Sequence, residues 1–315
     1  MNSIPPFCLV FPGQGSQALG MGQSYSKFPV YQQIMAQSEA ILGFPFKQIL
    51  AEGPLETLTR TEFAQPALFA VGYGIFKVLE TEFDVLPQAV AGHSLGEYTA
   101  LAAAEVLGFE AALQLVALRG QLMQAACEQN PGAMVAVVKA ELPQIETLLA
   151  DPRWQNQVGI GNYNSPGQCV LSGEKAALEA LAAEIRMQKW GRAVPLKVSG
   201  AFHSPLMSEA QKRLSQAIEA LSFQPARFPV VTNLDGEMTT EPEAFRQKLL
   251  THLLSPVRWE ASVRSLAQFS SLMLEAGPGS VLSGLIRQTL PDVQTHSLAE
   301  ANLLTELNFS EASHV

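Results

Sequence analysis

The five residues Gly92-His93-Ser94-Leu95-Gly96 constrain the fold of this chain more than any other stretch. Apolar Ala89-Val90-Ala91 leads into them and an alanine-rich run from Thr99 to Ala104 follows, so a strand has to pass into a helix through one tight turn. Such a turn lifts a serine hydroxyl clear of the sheet. The flanking glycines are required because a Cβ at either position would meet neighbouring backbone. Ser94 is thereby placed at the amino end of its helix, where free N–H groups and the helix dipole stabilise negative charge on a bound acyl group. A serine N-cap on an ordinary βα unit has the same local grammar, so the remainder of the chain must decide between nucleophile and cap.

Composition removes several classes. A chain of 315 residues, 47% hydrophobic and 16% charged, can bury one large core and a smaller appendage, which excludes a disordered protein. The net charge of -9 disfavours nucleic acid as a general partner. Lys27 is the first basic residue and no apolar run reaches the ~18 residues of a bilayer span, so a cytoplasmic location without membrane association is expected. Cys8, Cys127 and Cys169 lack C-x-x-C spacing and are expected as buried hydrophobes rather than disulfide, zinc or redox groups. Charge reverses in one region, where seven basic residues between Arg186 and Arg227 face only Glu209 and Glu219. This is either a docking face for an anionic partner or nucleotide phosphates, or a set of solvated faces that never meet.

Short apolar runs alternate with amphipathic helical segments in an α/β pattern. The expected first strand, 7–11, ends in Pro12-Gly13-Gln14-Gly15; position 18 is not glycine, so this is no dinucleotide fingerprint. It can instead present a backbone N–H at the carboxyl end of a strand, where open α/β sheets assemble their sites. From Gly132 the pattern predicts strand 133–138, helix 144–149, strands 158–162 and 168–172 around Asn164-Ser165-Pro166-Gly167, helix 175–188 and strand 193–198. That order is ferredoxin-like. Residues 128–198 are therefore read as a small ferredoxin-like domain inserted into a large α/β catalytic domain of residues 1–127 and 199–315. Late strands are expected at 229–232 and 272–274, helices at 209–221, 243–253 and 279–288, and a frayed tail at 310–315.

A hydroxyl nucleophile needs a base, and imidazole takes and returns a proton near neutrality. Of five histidines, His252 lies in a polar helical stretch, His296 and His314 lie near the tail, and His93 should point to the far side of the turn. His203, in Gly200-Ala201-Phe202-His203-Ser204 where the chain returns to the large domain, is the expected base.

Four motifs in register then resemble those of malonyl-CoA:acyl carrier protein transacylases: Phe11-Pro12-Gly13-Gln14-Gly15-Ser16-Gln17, Gly92-His93-Ser94-Leu95-Gly96-Glu97-Tyr98, Gly200-Ala201-Phe202-His203 and Glu275-Ala276-Gly277-Pro278-Gly279. The resemblance spans about residues 7 to 288. It implies an α/β-hydrolase-like large domain with a parallel sheet beside the ferredoxin-like one, malonyl-CoA as substrate with no bound cofactor, a phosphopantetheinylated acyl carrier protein as partner, and a monomer. It further implies ping-pong transfer through a malonyl-serine at Ser94 with His203 as base and acid, and an oxyanion hole of the Gln14 and Leu95 N–H groups. Arg119 matches the carboxylate-binding arginine, whose planar fork lysine cannot copy. Met123, Met134 and Phe202 match pocket positions, and Asn162 and Gln168 are weaker polar candidates. Leu95 and Phe202 follow the malonyl-type rather than the methylmalonyl-type pattern. In many members glutamine stands where this chain has Arg258, and its main-chain carbonyl orients the histidine, so the resemblance assigns that role to Arg258. An acyl hydrolase on the same scaffold differs only in whether water or a thiol intercepts the acyl-serine.

Overall fold

The computed structural model describes residues 5–307, so the tail expected to fray lies outside the described residues. Within them the strands in chain order are β1 (Cys8–Phe11), β2 (Ala89–Gly92), β3 (Gly132–Val138), β4 (Val158–Ser165), β5 (Gln168–Glu174), β6 (Arg192–Pro195), β7 (Val230–Val231), β8 (Met238–Thr239), β9 (Val257–Arg258), β10 (Leu272–Glu275) and β11 (Gln294–Ser297). They make two sheets, ordered β11-β10-β1-β2-β7-β8 and β6-β3-β5-β4-β9.

The first sheet is parallel from β11 to β7, with β8 added antiparallel at its edge. Its central strands are short and wholly apolar because both faces are covered. Alternate residues feed different cores: Leu9, Phe11 and Val90 pack into the larger cluster, while Cys8, Val10, Ala89 and Ala91 pack with Trp259 and Val263. All three cysteines are buried and free. The helix Thr61–Glu82 packs on the helix Phe109–Gln129. Their approach is close at Gly120, where an added Cβ would lie 2.8 Å from the Thr61 carbonyl oxygen. This contact sets Arg119 beside Gln65.

The second sheet has the strand and helix order read from the periodicity, and the helix Lys175–Gln188 has the expected bounds. Neighbours β3, β5, β4 and β6 pair antiparallel. The expected strand 193–198 is shorter, ending at Pro195; the Leu196 N–H makes one more bond to the Met134 carbonyl of β3, and Leu196, Lys197 and Val198 line the cleft. β9, from late in the chain, adds parallel to β4 and so joins the two halves of the molecule. Among the described residues no helix is long and apolar enough to cross a membrane.

The turn after β2 is fixed by backbone packed on backbone. A Cβ on Gly92 would sit 1.8 Å from the carbonyl carbon of Gly96, and one on Gly96 would sit 2.0 Å from the Phe11 oxygen at the end of β1. No rotamer relieves such contacts, since a Cβ has none. Gly92→Ala is therefore expected to lower unfolding free energy by at least ~2 kcal/mol, at the upper end of ordinary overpacking. Chemical denaturation of the variant against the parent chain checks this.

Candidate active site

β2 delivers Ser94 at the amino end of the helix Leu95–Ala103 with φ 52 and ψ -105, a conformation that side-chain-bearing residues rarely adopt. Asn233 holds it there: its Oδ1 accepts from the Ser94 N–H at 2.6 Å and its Nδ2 donates to the Gly92 carbonyl at 2.6 Å. The serine occupies the N-cap position in a strained conformation, and its side chain makes no capping bond.

The Ser94 hydroxyl lies 2.8 Å from Nε2 of His203, itself at φ 56. Nδ1 of His203 is 2.9 Å from the Ser255 carbonyl and 3.1 Å from that of His252. Carbonyls only accept, so Nδ1 carries the proton and Nε2 presents its lone pair to the serine. Burial, followed by the positive charge of Arg119, lowers the His203 pKa to about 3, which leaves the ring neutral at neutral pH. Two carbonyls occupy the place of a triad carboxylate.

This geometry corrects the assignment of Arg258. Its N–H is committed to the Asn233 carbonyl and its own carbonyl to the Ser262 hydroxyl, while its guanidinium lies outside over the Tyr163 ring at 5.1 Å. The carbonyls that reach His203 come from the loop before β9. His93 is also among the residues that line the cleft; its ring packs on Trp259 at 5.6 Å and its Nε2 lies 2.9 Å from Asn164 Oδ1.

Arg119 is 1% exposed. Its Nη1 donates to Gln65 Oε1 at 2.7 Å, its Nη2 donates to the Ser94 hydroxyl at 3.1 Å, and its guanidinium carbon lies 5.3 Å from the centre of the Tyr98 ring. Among the described residues no carboxylate pairs with it within 4.0 Å. Burial pulls its pKa down, yet an arginine stays charged over any working pH. A buried cation held by neutral groups is costly, and an incoming anion relieves that cost.

A cleft of about 360 Å³ opens over these groups. Gln14, Met123, Met134, Asn162, Gln168 and Phe202 line it with Ser94, Arg119 and His203, so the structure brings together the expected pocket residues. Leu95 follows the nucleophile as the first residue of its helix. The cleft also takes in Gln65 and, from the helix Val281–Thr289, Leu282 and Leu285, none of which carries a sequence signal beyond ordinary helix. Asn233 sits in a Thr232-Asn233-Leu234-Asp235-Gly236 turn and was equally silent. Among the described residues there is no cluster of three or more metal-ligating side chains.

The family described as acyl transferase domain matches residues 8–307. The chain is 39% identical over 295 residues to the malonyl CoA-acyl carrier protein transacylase of Haemophilus influenzae, covering 93% of this chain and 95% of that one. Among solved structures, the malonyl-CoA:acyl carrier protein transacylase of Xanthomonas oryzae superposes with a TM-score of 0.91 at 38% identity, covering 97% of this chain and 98% of the other. A type II PKS acyl-carrier protein in complex with its malonyl-transacylase contains a chain with a TM-score of 0.91 and 37% identity, covering 97% and 100%. With the elbow, the neutral imidazole and the match over nearly its whole length, the chain belongs to the acyl transferase domain family.

Proposed function

We propose that this protein transfers the malonyl group from malonyl-CoA to the phosphopantetheine thiol of an acyl carrier protein by way of a malonyl ester on Ser94. The observation that carries this reading is Arg119, a buried guanidinium without a carboxylate partner among the described residues and 3.1 Å from the nucleophile. Malonate differs from acetate by one free carboxylate, and a planar fork beside the reacting oxygen is where that carboxylate is recognised.

In the first half-reaction Ser94 Oγ gives its proton to His203 Nε2 and bonds to the thioester carbon. The resulting oxyanion is met by the N–H groups of Gln14 and Leu95, donors of a kind worth roughly 3 kcal/mol each in a transition state. Collapse breaks the carbon–sulfur bond, and His203 returns the proton to the departing CoA thiolate. In the second half the pantetheine thiol gives its proton to His203, its sulfur attacks the ester, and Ser94 recovers its proton as the carbon–oxygen bond breaks. The carbonyls of Ser255 and His252 hold the imidazole in one tautomer throughout. Phe202 and Met134 line the same cleft.

A negatively charged carrier is favoured by a basic concavity on the second sheet's side, where Lys139, Arg186, Lys189 and Arg192 converge. Lys212 and Arg213 are exposed on the helix Ser208–Glu219, whereas Arg227 is neutralised by Glu80 and Glu105. Residues 128–198 are read as a ferredoxin-like domain, supported by the order β6-β3-β5-β4, inserted in a hydrolase-like domain of residues 1–127 and 199–315. The site is read as that of a cytoplasmic enzyme needing no bound cofactor.

Incubation with malonyl-CoA is expected to add one malonyl group to Ser94, detected by peptide mass spectrometry, with none on Ser94→Ala. Addition of pantetheinylated carrier should discharge it onto the carrier; release chiefly as free malonate would instead make the protein a hydrolase. Arg119→Ala should lower kcat/KM for malonyl-CoA by about 100-fold or more while sparing acetyl-CoA, because two charge-assisted bonds of ~1.5 to 3 kcal/mol each are lost only for malonyl. Selectivity in parallel assays of the two thioesters decides it. The base loses function only when protonated, and its pKa is depressed to about 3. The acid limb of kcat/KM should accordingly lie far below pH 6.5, with pH 5 and pH 7 rates within about twofold, where an unperturbed imidazole would be only about 3% neutral at pH 5.

A further inference from the structure

Behind the cleft lies a buried carboxyl that the transfer reaction does not use. Glu97, 1% exposed on the first turn of the helix after Ser94, directs Oε2 at two groups from elsewhere in the chain. It accepts the Asn233 N–H at 2.9 Å and lies 3.5 Å from Nε2 of His252. The first contact leads to the nucleophile, since the Asn233 side chain bonds both the Ser94 N–H and the Gly92 carbonyl. The second leads to the base, since the His252 carbonyl is one of the two that hold His203 Nδ1.

The main chain at His252 is also held, its N–H donating to the Leu249 carbonyl at 3.2 Å and the following Leu253 N–H donating to Gln211 Oε1 at 2.7 Å, so what Glu97 adds is a contact with the ring. His252 is 2% exposed, among the described residues neither ring nitrogen has a hydrogen-bond partner, and its ring is packed edge-to-face with those of His203 and Tyr98 at 5.6 Å each. Burial and the neighbouring Arg119, His203 and His93 keep it uncharged, so its contact with Glu97 is packing against a polar atom and not an ion pair. Two unsatisfied ring nitrogens in a dry site are expensive, and an arrangement that keeps them is held by its surroundings.

We propose that Glu97 is a positioning residue that sets nucleophile and base against each other, holding the Ser94 elbow through Asn233 and the carbonyl perch of His203 through His252. The proposal rests on Ser94 and His203 being the reacting pair. Burial raises the Glu97 carboxyl to about 7, so acid and carboxylate forms coexist near neutrality. Both forms keep an oxygen lone pair for the Asn233 N–H, and so does a glutamine amide.

Three variants test this: Glu97→Gln, which keeps the accepting oxygen in place, Glu97→Asp, which withdraws it by one methylene, and Glu97→Leu, which removes it at similar size. Malonyl transfer is measured alongside phosphonylation of Ser94 by a fluorophosphonate, which requires an activated serine but no carboxylate site. Misalignment is thereby told apart from a wrongly assigned acyl donor, which would leave fluorophosphonate reactivity of the parent chain intact. Glu97→Gln is expected to keep kcat and phosphonylation rate within threefold of the parent. Glu97→Asp and Glu97→Leu should lose at least tenfold in both, with KM for malonyl-CoA within twofold. Should Glu97→Leu not be recovered folded, Glu97→Asp decides. Full activity in Glu97→Asp, a loss expressed in KM, or equal loss in Glu97→Gln and Glu97→Asp would overturn the proposal.

Discussion

Contact of main chain with main chain at the end of β2 is the constraint on which the site depends. Gly92, Gly96 and Phe11 approach so closely that no side chain fits between them, and only His93 and Ser94 separate the strand's end from the start of the helix Leu95–Ala103. The cost falls on Ser94, whose backbone occupies a region worth about 1 to 3 kcal/mol of strain. Asn233 offsets part of it with two short hydrogen bonds, and the apolar strands buried on both faces of the sheet leave the turn nowhere to relax. A serine on a freer loop would sample many orientations, and its 2.8 Å approach to His203 would be one among them.

Charge in the cleft is set first by burial of the two histidines and then by the buried cation Arg119. Desolvation, followed by the field of Arg119, keeps His203 and His252 neutral, and carbonyl oxygens orient the neutral base. The partners of Arg119, Gln65, the Ser94 hydroxyl and the face of Tyr98, stabilise the guanidinium without discharging it.

Much of this was legible from local pattern. The elbow announced itself by two glycines around a serine between an apolar run and an alanine-rich one, and the helix Lys175–Gln188 by an uninterrupted amphipathic period. His252 was not legible, since Thr251-His252 between leucines reads as a solvated helix end, and groups from distant segments, among them the rings of Tyr98 and His203, bury it. Asn233 was hidden for a related reason, an N-L-D-G turn being read for its shape and not for what its amide reaches. β11 is polar and half-exposed, with no alternation to mark it, and is a strand because β10 offers it a ladder. Arg258 was assigned by resemblance a role that belongs to carbonyls three and six positions earlier, because a main-chain acceptor leaves no trace in side-chain identity.

The two-residue strand β9 has a mechanical effect out of proportion to its length. On one edge Val257 and Arg258 pair with Asn162 and Tyr163, and from the same strand the Arg258 N–H reaches the carbonyl of Asn233. The wall that carries Asn162 and the amide that pins the serine are thus tied through consecutive main-chain bonds. The base of the cleft has a set width, so any widening to admit a long pantetheine arm has to occur at the rim, where Leu196 and Val281 stand exposed.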